Sequence, residues 1–461
     1  MDSNHEKRIL LLITNRYAAT NVIHSGLIKP LAELYEVYII SNLIYQKEIN
    51  EISEHFNIKL YRIDIPIPKE NKLVRILRQL EKAIFFYFFQ IETQKIKEKQ
   101  KGFWYHFTII SLLKFLDIFR LNTLVLKYLR KLIIRLTENG DTLKILDHYN
   151  FDGVISSSPL DIRENTIVNY MKKRNIPSLA MIISWDNLTS KGIINADHDY
   201  VLVWNELMAN EYNRFYSIFN SQNTHICITG IPRFDIYFRN LPDHYSELNF
   251  REKYQVAASD KVILFTTSAV THFPNQTDIV QHLLEYTSQQ SNIKIIVRCH
   301  AGDHDALYRK FLHEPNLRIW YPDHSQNKAN SMKMPDLEIL YSLAEMLMYC
   351  DVCLNVASTI RLEAAACNKP AISIAYDGNL NPEFHYSVRR FYAYSHQIPL
   401  NDQEIDKMVF SKSELFGSLD ELLYSPPAHS INHTEKIKSF TFHSGPYGVS
   451  TSMNYIRQWL N

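Results

Sequence analysis

Short apolar runs recur along this chain, each ending in Ser, Thr, Asn or His and most followed by a stretch of helical periodicity, and no feature limits the fold more. "RILLLITNRY", "YEVYIIS", "FDGVISSS", "IPSLAMIIS", "DYVLVWN" and "HICITG" read as strands in the first half, with helical stretches through "HSGLIKPLAEL", residues 160–174 and "ELMANEYNRFY". After a polar connection, the rhythm resumes with "KVILFTTS", "IKIIVRC", "LRIWYP", "DVCLNVA" and "PAISIA", interleaved with "DIVQHLLEYTSQQ", "ALYRKFLH", "DLEILYSLAEMLMYC" and "TIRLEAAAC". Strands alternating with helices demand parallel sheets with right-handed crossovers. With 461 residues the chain exceeds what one core usually supports, so two such domains are expected. The expected fold class is α/β, with two doubly wound, Rossmann-like domains facing a cleft. Residues 1–230 make the first domain, 231–446 the second, and 447–461 a closing helix.

Residues 71–136 interrupt the first domain with 14 Lys or Arg against 4 Asp or Glu. Here "KAIFFYFFQ", "KGFWYHFTIISLLKFLDIF" and "LVLKYLRKLIIRL" interleave aromatic and aliphatic residues with bases at helical spacing. Basic amphipathic helices of this kind suit an anionic membrane surface, although helices packed on the domain with solvated cations would read the same way. The whole chain carries a net charge of only +1, which gives no general case for nucleic acid.

Five cysteines in so long a chain make no disulfide framework, and the first residues lack the apolar core of a secretory signal. A reducing, cytoplasmic setting is expected, peripheral to the inner face of a membrane. Glycine is scarce, at 11 residues, and neither the dinucleotide fingerprint nor the P-loop pattern occurs. Any bound phosphate must therefore rely on Ser, Thr and helix starts.

In an open α/β sheet, ligands gather beyond the carboxyl ends of the strands. That rule selects Thr267 and Ser268 after "LFTTS", Arg298 and His300 in "IVRCHAGD", and Ser358 and Thr359 in "NVAST". Hydroxyls, a fixed cation, an imidazole and a helix start at neighbouring strand ends would suit a nucleotide phosphate. Glu363 stands one turn into the following helix. An ordinary capping box would need Glu or Gln at position 361 or 362, where Arg361 and Leu362 stand, so Glu363 is expected either to hold sugar hydroxyls or to be a solvated helix-start carboxylate. In the first domain, "IISWDNLTSKG" places Asp186 just beyond an apolar strand. Asp161 and His24 are further candidates for a proton acceptor, and a turn-capping role is the plainer alternative for Asp186.

The motifs "ITGIPRFD", "IVRCHAGD" and "NVASTIRLEAAACNKPAI" resemble the donor-side motifs of GT-B glycosyltransferases, and more narrowly bacterial cell-surface polysaccharide transferases grouped with the CDP-glycerol glycerophosphotransferases. The resemblance implies a nucleotide on the second domain, with Ser358 and Thr359 at its phosphates and Glu363 at its ribose. It adds Thr229, Gly230 and Arg233 to the donor-binding set. It implies transfer of a sugar from a nucleotide-activated donor to a growing, lipid-linked glycan. Alternatives are a CDP-alditol phosphotransferase, a sugar-nucleotide 2-epimerase and a non-catalytic glycan-binding scaffold. Many relatives read R-x-H-P where this chain has Arg298-Cys299-His300-Ala301.

No metal or other cofactor is expected. Asp197-His198-Asp199 and Asp303-His304-Asp305 are short acidic patterns of a kind common by chance, and Cys350-x-x-Cys353 lacks the second pair that a zinc site would need.

Overall fold

The computed structural model describes residues 7–219, 223–303, 305–322, 333–425 and 432–461. The chain divides into two compact units, one of Met1–Arg233, Met332–Met334 and Tyr447–Asn461, the other of Phe234–Ser331 and Pro335–Pro446.

The first unit holds seven strands: β1 (Arg8–Ile13), β2 (Glu36–Ser41), β3 (Tyr61–Arg62), β4 (Gly153–Ser156), β5 (Ser178–Met181), β6 (Tyr200–Val203) and β7 (His225–Ile228). They lie in the order β3-β2-β1-β4-β5-β6-β7, every neighbouring pair parallel. Ile9 to Ile13 and all of β4 and β5 are buried, as strands covered on both faces must be. The second unit holds β8 (Lys261–Thr266), β9 (Ile293–Arg298), β10 (Leu317–Trp320), β11 (Val352–Asn355), β12 (Ala371–Ile374) and β13 (Lys407–Val409). Its order, β10-β9-β8-β11-β12-β13, is again wholly parallel. In each sheet the direction of winding reverses beside the first strand, between β1 and β4 and between β8 and β11.

The doubly wound α/β architecture expected from the apolar rhythm is thus present in both units. Sequence reading missed β3 and β13, whose two and three residues are too short to show alternation. It also took "ALYRKFLH" as helical, where the chain makes two 3₁₀ turns, Asp305–Leu307 and Arg309–Phe311. Between these turns Tyr308 is fully buried and its hydroxyl donates to Asp303 at 3.1 Å, which holds the segment to the preceding loop.

The basic insertion forms helices Lys72–Phe88, Glu92–Glu98, Ser111–Ile118 and Asn122–Thr137, with Phe103–Tyr105 and a π-turn at His106–Ile110 leading into the third. The first and last of these pack on the unit. Phe85 is fully buried, its ring 5.3 Å from Phe215, and the Arg130 guanidinium donates to the Ile194 and Ala196 carbonyls. The middle packs only in part: Thr93, Leu113 and Leu116 are buried, while Phe103, Trp104, Phe107, Ile118 and Phe119 stay between 59% and 75% exposed.

Helix Gly448–Leu460 returns to the first unit, where Trp459 lies against Gly153 in β4. A Cβ at Gly153 would come within 2.5 Å of the indole, which cannot bend away as a flexible chain end would. Gly153→Ala is therefore expected to destabilise the protein by about 1–3 kcal/mol, read as a lower thermal unfolding midpoint. Adding Trp459→Leu to Gly153→Ala should recover part of that loss.

Candidate functional site

The reversal point of the six-stranded sheet gathers most of the donor-side residues read from the sequence. Thr267 and Ser268 follow β8, Arg298 ends β9, His300 lies two residues on, and Ser358 and Thr359 follow β11. The Thr266 hydroxyl donates to the Leu354 carbonyl at 3.0 Å and ties the ends of β8 and β11 together.

Between β11 and helix Ile360–Ala366 the chain turns at Ala357, whose φ of +42° lies in the left-handed region. An alanine there costs about 1 kcal/mol, so its surroundings must enforce the turn. They do so from both sides. The Ala357 N–H donates to the Tyr392 hydroxyl at 3.0 Å, and its carbonyl accepts from the Gln397 amide at 2.9 Å. Gln397 is in turn held by Arg361, which is 1% exposed. Arg361 also pairs in fork geometry with Asp406, at 2.7 and 2.8 Å, and donates to Asn401 at 2.7 Å. Asp406 further accepts from the Ser373 hydroxyl on β12.

The turn leaves Ser358 and Thr359 partly exposed. The Ser358 hydroxyl accepts from the Ile360 N–H at 3.3 Å, while neither the N–H nor the hydroxyl of Thr359 has a hydrogen-bond partner among the described residues. One turn on, Glu363 is 2% exposed. A solvated helix-start glutamate was one expectation, and burial overturns it. The Arg298 charge lies within electrostatic reach of Glu363. Arg298 is stacked at 3.8 Å on Trp320, and its guanidinium donates to the Ser342 hydroxyl and the Ile339 carbonyl. Burial brings Arg298 down to about 10, still charged at neutral pH.

The loop after β9 is organised by Asp303, which sequence reading passed over as part of a chance acidic pattern. Its carboxylate accepts from the Thr267 hydroxyl at 2.6 Å, the Gln276 amide at 3.2 Å, the His300 N–H at 3.2 Å and the Tyr308 hydroxyl. The His300 side chain is exposed, with Nδ1 accepting from the Gly302 N–H. His304 lies outside the described residues. Thr229, Gly230 and Arg233 belong to the first unit, after β7. Arg233 is buried there, donating to the Tyr17 hydroxyl at 2.9 Å and lying over the Trp204 ring.

The three proton-acceptor candidates follow β1, β4 and β5, adjacent strands of the seven-stranded sheet. Asp186 precedes the turn Asn187–Ser190, and its two carboxylate oxygens accept from the Ser184 and Ser190 hydroxyls, each at 2.6 Å. The Lys191 ammonium is 3.8 Å away. Asp161 caps helix Ile162–Lys172 through the Arg163 N–H. Burial pushes Asp161 up, but the Arg163 guanidinium, the cap N–H and the Thr14 hydroxyl outweigh it and hold the carboxyl below its ordinary value, which makes it a weak proton acceptor. His24 ends a π-helical turn, Thr20–His24, with Nδ1 donating to the Ala19 carbonyl at 3.1 Å.

Glu164 was not singled out from sequence, where "DIREN" reads as an ordinary helix start. It is fully buried at the reversal between β1 and β4, accepting from the Thr14 hydroxyl at 2.7 Å, the Ser156 hydroxyl at 2.7 Å and the Ser158 N–H at 2.8 Å. Burial pushes it up to about 7 against those hydrogen bonds, with nearby Asp161 adding to the rise.

The remaining signals resolve into structure. Asp197 pairs with Arg130 and Asp199 with Lys172. Cys350 and Cys353 are buried free thiols. Among the described residues, no group of three or more His, Cys, Asp or Glu side chains is placed to hold a metal ion.

The comparisons with known proteins agree with this architecture. The family model described as CDP-Glycerol:Poly(glycerophosphate) glycerophosphotransferase matches residues 187–392. No curated protein matches the chain. Among solved structures, the S. aureus MnaA-UDP co-structure superposes with a TM-score of 0.55 at 12% identity, covering 99% of this chain and 97% of that one. A UDP-GlcNAc 2-epimerase from Neisseria meningitidis bound to UDP-GlcNAc gives 0.53 at 12% identity, over 98% and 99%. A glycosyltransferase from Rickettsia africae gives 0.52 at 12% identity, over 99% of both chains. The resemblance read from the motifs is borne out, and the GT-B fold is shared along the whole chain.

The Glu164 environment has a consequence for stability. In the unfolded chain this carboxyl loses its proton near 4.5, and in the folded one near 7. Between those values the unfolded state releases a proton that the folded state keeps, so stability should fall as pH rises through that window, by about 3 kcal/mol in all for this group. Urea unfolding at pH 5 and pH 8 should show the fall, and Glu164→Gln should start less stable but lose less over the same interval.

Proposed function

We propose that this chain is a transferase that takes a group from a nucleotide-activated donor and passes it to a cell-surface glycan, with the donor bound on the six-stranded unit. The reading rests on one observation above others: the Thr359 N–H and hydroxyl stand open at the reversal point of the sheet, with a buried carboxylate, Glu363, one turn behind them. Open ends at a helix start favour a phosphate anion, and a carboxylate beyond them can accept from ribose hydroxyls. The Arg298 guanidinium is committed to its own unit, so its part would be electrostatic, offsetting the charge of Glu363 and of the departing phosphate. The phosphate charge would be met by these groups without a metal.

The donated group is a sugar in this reading. A CDP-alditol donor, carrying glycerol phosphate, is the second reading, supported by the family match over residues 187–392. On the acceptor side, Asp186 and His24 remain the proton acceptors to consider, since Asp161 is held low by Arg163. Thermal-shift screening against UDP, CDP, CMP, GDP and dTDP separates the donor classes, because a ligand of the folded state raises apparent stability as ln(1 + [L]/Kd). One nucleotide should stand out, and Glu363→Gln should weaken it about tenfold or more, as expected for loss of a charged hydrogen-bond acceptor. Failure of every nucleotide to shift the protein would remove the proposal.

A lipid-linked acceptor fits the exposed segment at residues 103–119. Phe103 and Trp104 project from it at 73% and 74% exposure, with Lys101, Lys114 and Arg120 nearby in sequence. Aromatic side chains beside cations suit the headgroup region of an anionic membrane on the cytoplasmic face, where each base adds about 1 kcal/mol. Phe103→Ser with Trp104→Ser and Phe107→Ser should cut co-sedimentation with phosphatidylglycerol vesicles at least about tenfold without lowering the unfolding midpoint. Equal partitioning of variant and parent would dismiss the membrane contact.

A further inference from the structure

On the first unit, helix Lys72–Phe88 and the loop after Asp186 line a half-open groove of about 270 Å³, room for several waters or a small anion. Arg75, Arg78, Lys82 and Lys191 line it, with Glu70 and Glu81 as its carboxylates. Both carboxylates already have partners inside the protein. Glu70 is paired with Arg75 at 3.0 Å and with Arg78 at 2.8 Å. Glu81 is 2% exposed and spends both oxygens on the Asn195 amide, at 3.0 and 2.9 Å.

Lys82 is the residue this arrangement leaves over. It is partly buried, its ammonium has no hydrogen-bond or ion-pair partner among the described residues, and it lies over the Phe86 ring at 5.5 Å. Its stem runs beside Gly192, where a Cβ would sit 3.5 Å away. Burial, and after it the neighbouring cations Lys97, Lys191, Arg78 and Lys101, bring Lys82 down to about 8. A cation drawn in among cations is unfavourable unless an anion completes the group. Lys191 also lies 3.8 Å from Asp186, so the pocket adjoins the first proton-acceptor candidate.

We propose that this pocket is a second anion site, which binds a phosphate or diphosphate group of the acceptor through Lys82 and Lys191. The identity of the ligand's owner rests on the transferase reading, whereas the pocket and its charge do not. A lipid-borne diphosphate and a soluble phosphodiester chain offer the same chemistry.

The test uses the full-length protein with Lys82→Met, which keeps the apolar stem on Phe86 and removes the charge. In one arm inorganic pyrophosphate is titrated by calorimetry. In the other, retention is measured on phosphatidylcholine vesicles with and without farnesyl diphosphate. The parent should bind pyrophosphate saturably, and Lys82→Met should weaken it about tenfold or more. A matching loss on farnesyl diphosphate vesicles assigns the phosphate to a lipid, and a loss confined to pyrophosphate assigns it to a soluble chain. Thr359→Val should remove only pyrophosphate held at the donor-side turn and leave the Lys82-dependent part of both arms unchanged. If the parent binds no pyrophosphate, if Lys82→Met binds as the parent does, or if only Thr359→Val weakens binding, the pocket is not an anion site. None of these outcomes depends on turnover or on which nucleotide the other unit takes.

Discussion

The buried pair of Arg361 and Asp406 governs the six-stranded unit. Both side chains are almost wholly out of water, at 1% and 2% exposure, and every polar atom of the pair must find a partner inside the protein. The fork between them, with Gln397, Asn401 and Ser373 as further partners, meets that requirement. Because Gln397 and Tyr392 also hold the two ends of the Ala357 peptide, the ion pair fixes the backbone that turns β11 into the next helix. Removing one member of such a pair typically costs 3–5 kcal/mol, more than the roughly 1 kcal/mol that an alanine at φ +42° must overcome. The open Thr359 N–H and the position of Glu363 are downstream of that balance.

The two sheets share a winding order and differ in what they place at the reversal. In the six-stranded unit an amide and a hydroxyl stand open there, with a guanidinium nearby. In the seven-stranded unit the same place holds Glu164 and Asp161, joined through the Thr14 hydroxyl at 2.7 and 2.9 Å. Only one of these carboxylates is kept near its ordinary charge state, because Arg163 serves Asp161 while Glu164 has neutral donors alone. The insertion is part of this arrangement rather than an appendage. Arg78 donates to the Leu160 carbonyl beside Asp161, and Glu81 holds Asn195, so helix Lys72–Phe88 braces the loops that carry the candidate bases.

Eleven strands were legible because buried parallel strands write continuous apolar runs, and β3 and β13 were not because two or three residues carry no pattern. The site was legible only as far as strand ends predict it. Thr267, Ser358, Thr359 and Glu363 follow from the rule that ligands gather beyond carboxyl ends. Arg361 was noticed only as a residue that failed to make a capping box, and nothing local could pair it with Asp406, 45 positions away. Glu164, Asp303 and Lys82 were invisible for a related reason. Their character comes from burial and from neighbours on other elements, and a helix-start glutamate or a lysine in a basic run looks the same whether it is solvated or enclosed. The insertion shows the converse, since one reading of amphipathic helices covered three segments, and packing took Phe85 and Ile133 inside while leaving Trp104 outside.

The family match spans parts of both units. Residues 187–392 contain Arg298, His300, the Ala357 turn and Glu363, which the proposed reading gives to the donor, and also Lys191 of the cationic pocket. His24, Asp161 and Asp186 all precede it, as does Lys82, and the Asp406 that anchors the turn follows it. A polar opening for phosphate depends on backbone geometry and tolerates few alternatives, because a helix start and a left-handed turn must coincide at a strand end. An acceptor site is set by whichever side chains suit the incoming hydroxyl, and a loop or an inserted helix can supply them without altering the sheet. The insertion at residues 71–136 lies outside the matched residues, and in the proposed reading the chemistry that selects an acceptor should be sought there and at the adjoining Lys191 rather than at the strand ends common to the fold.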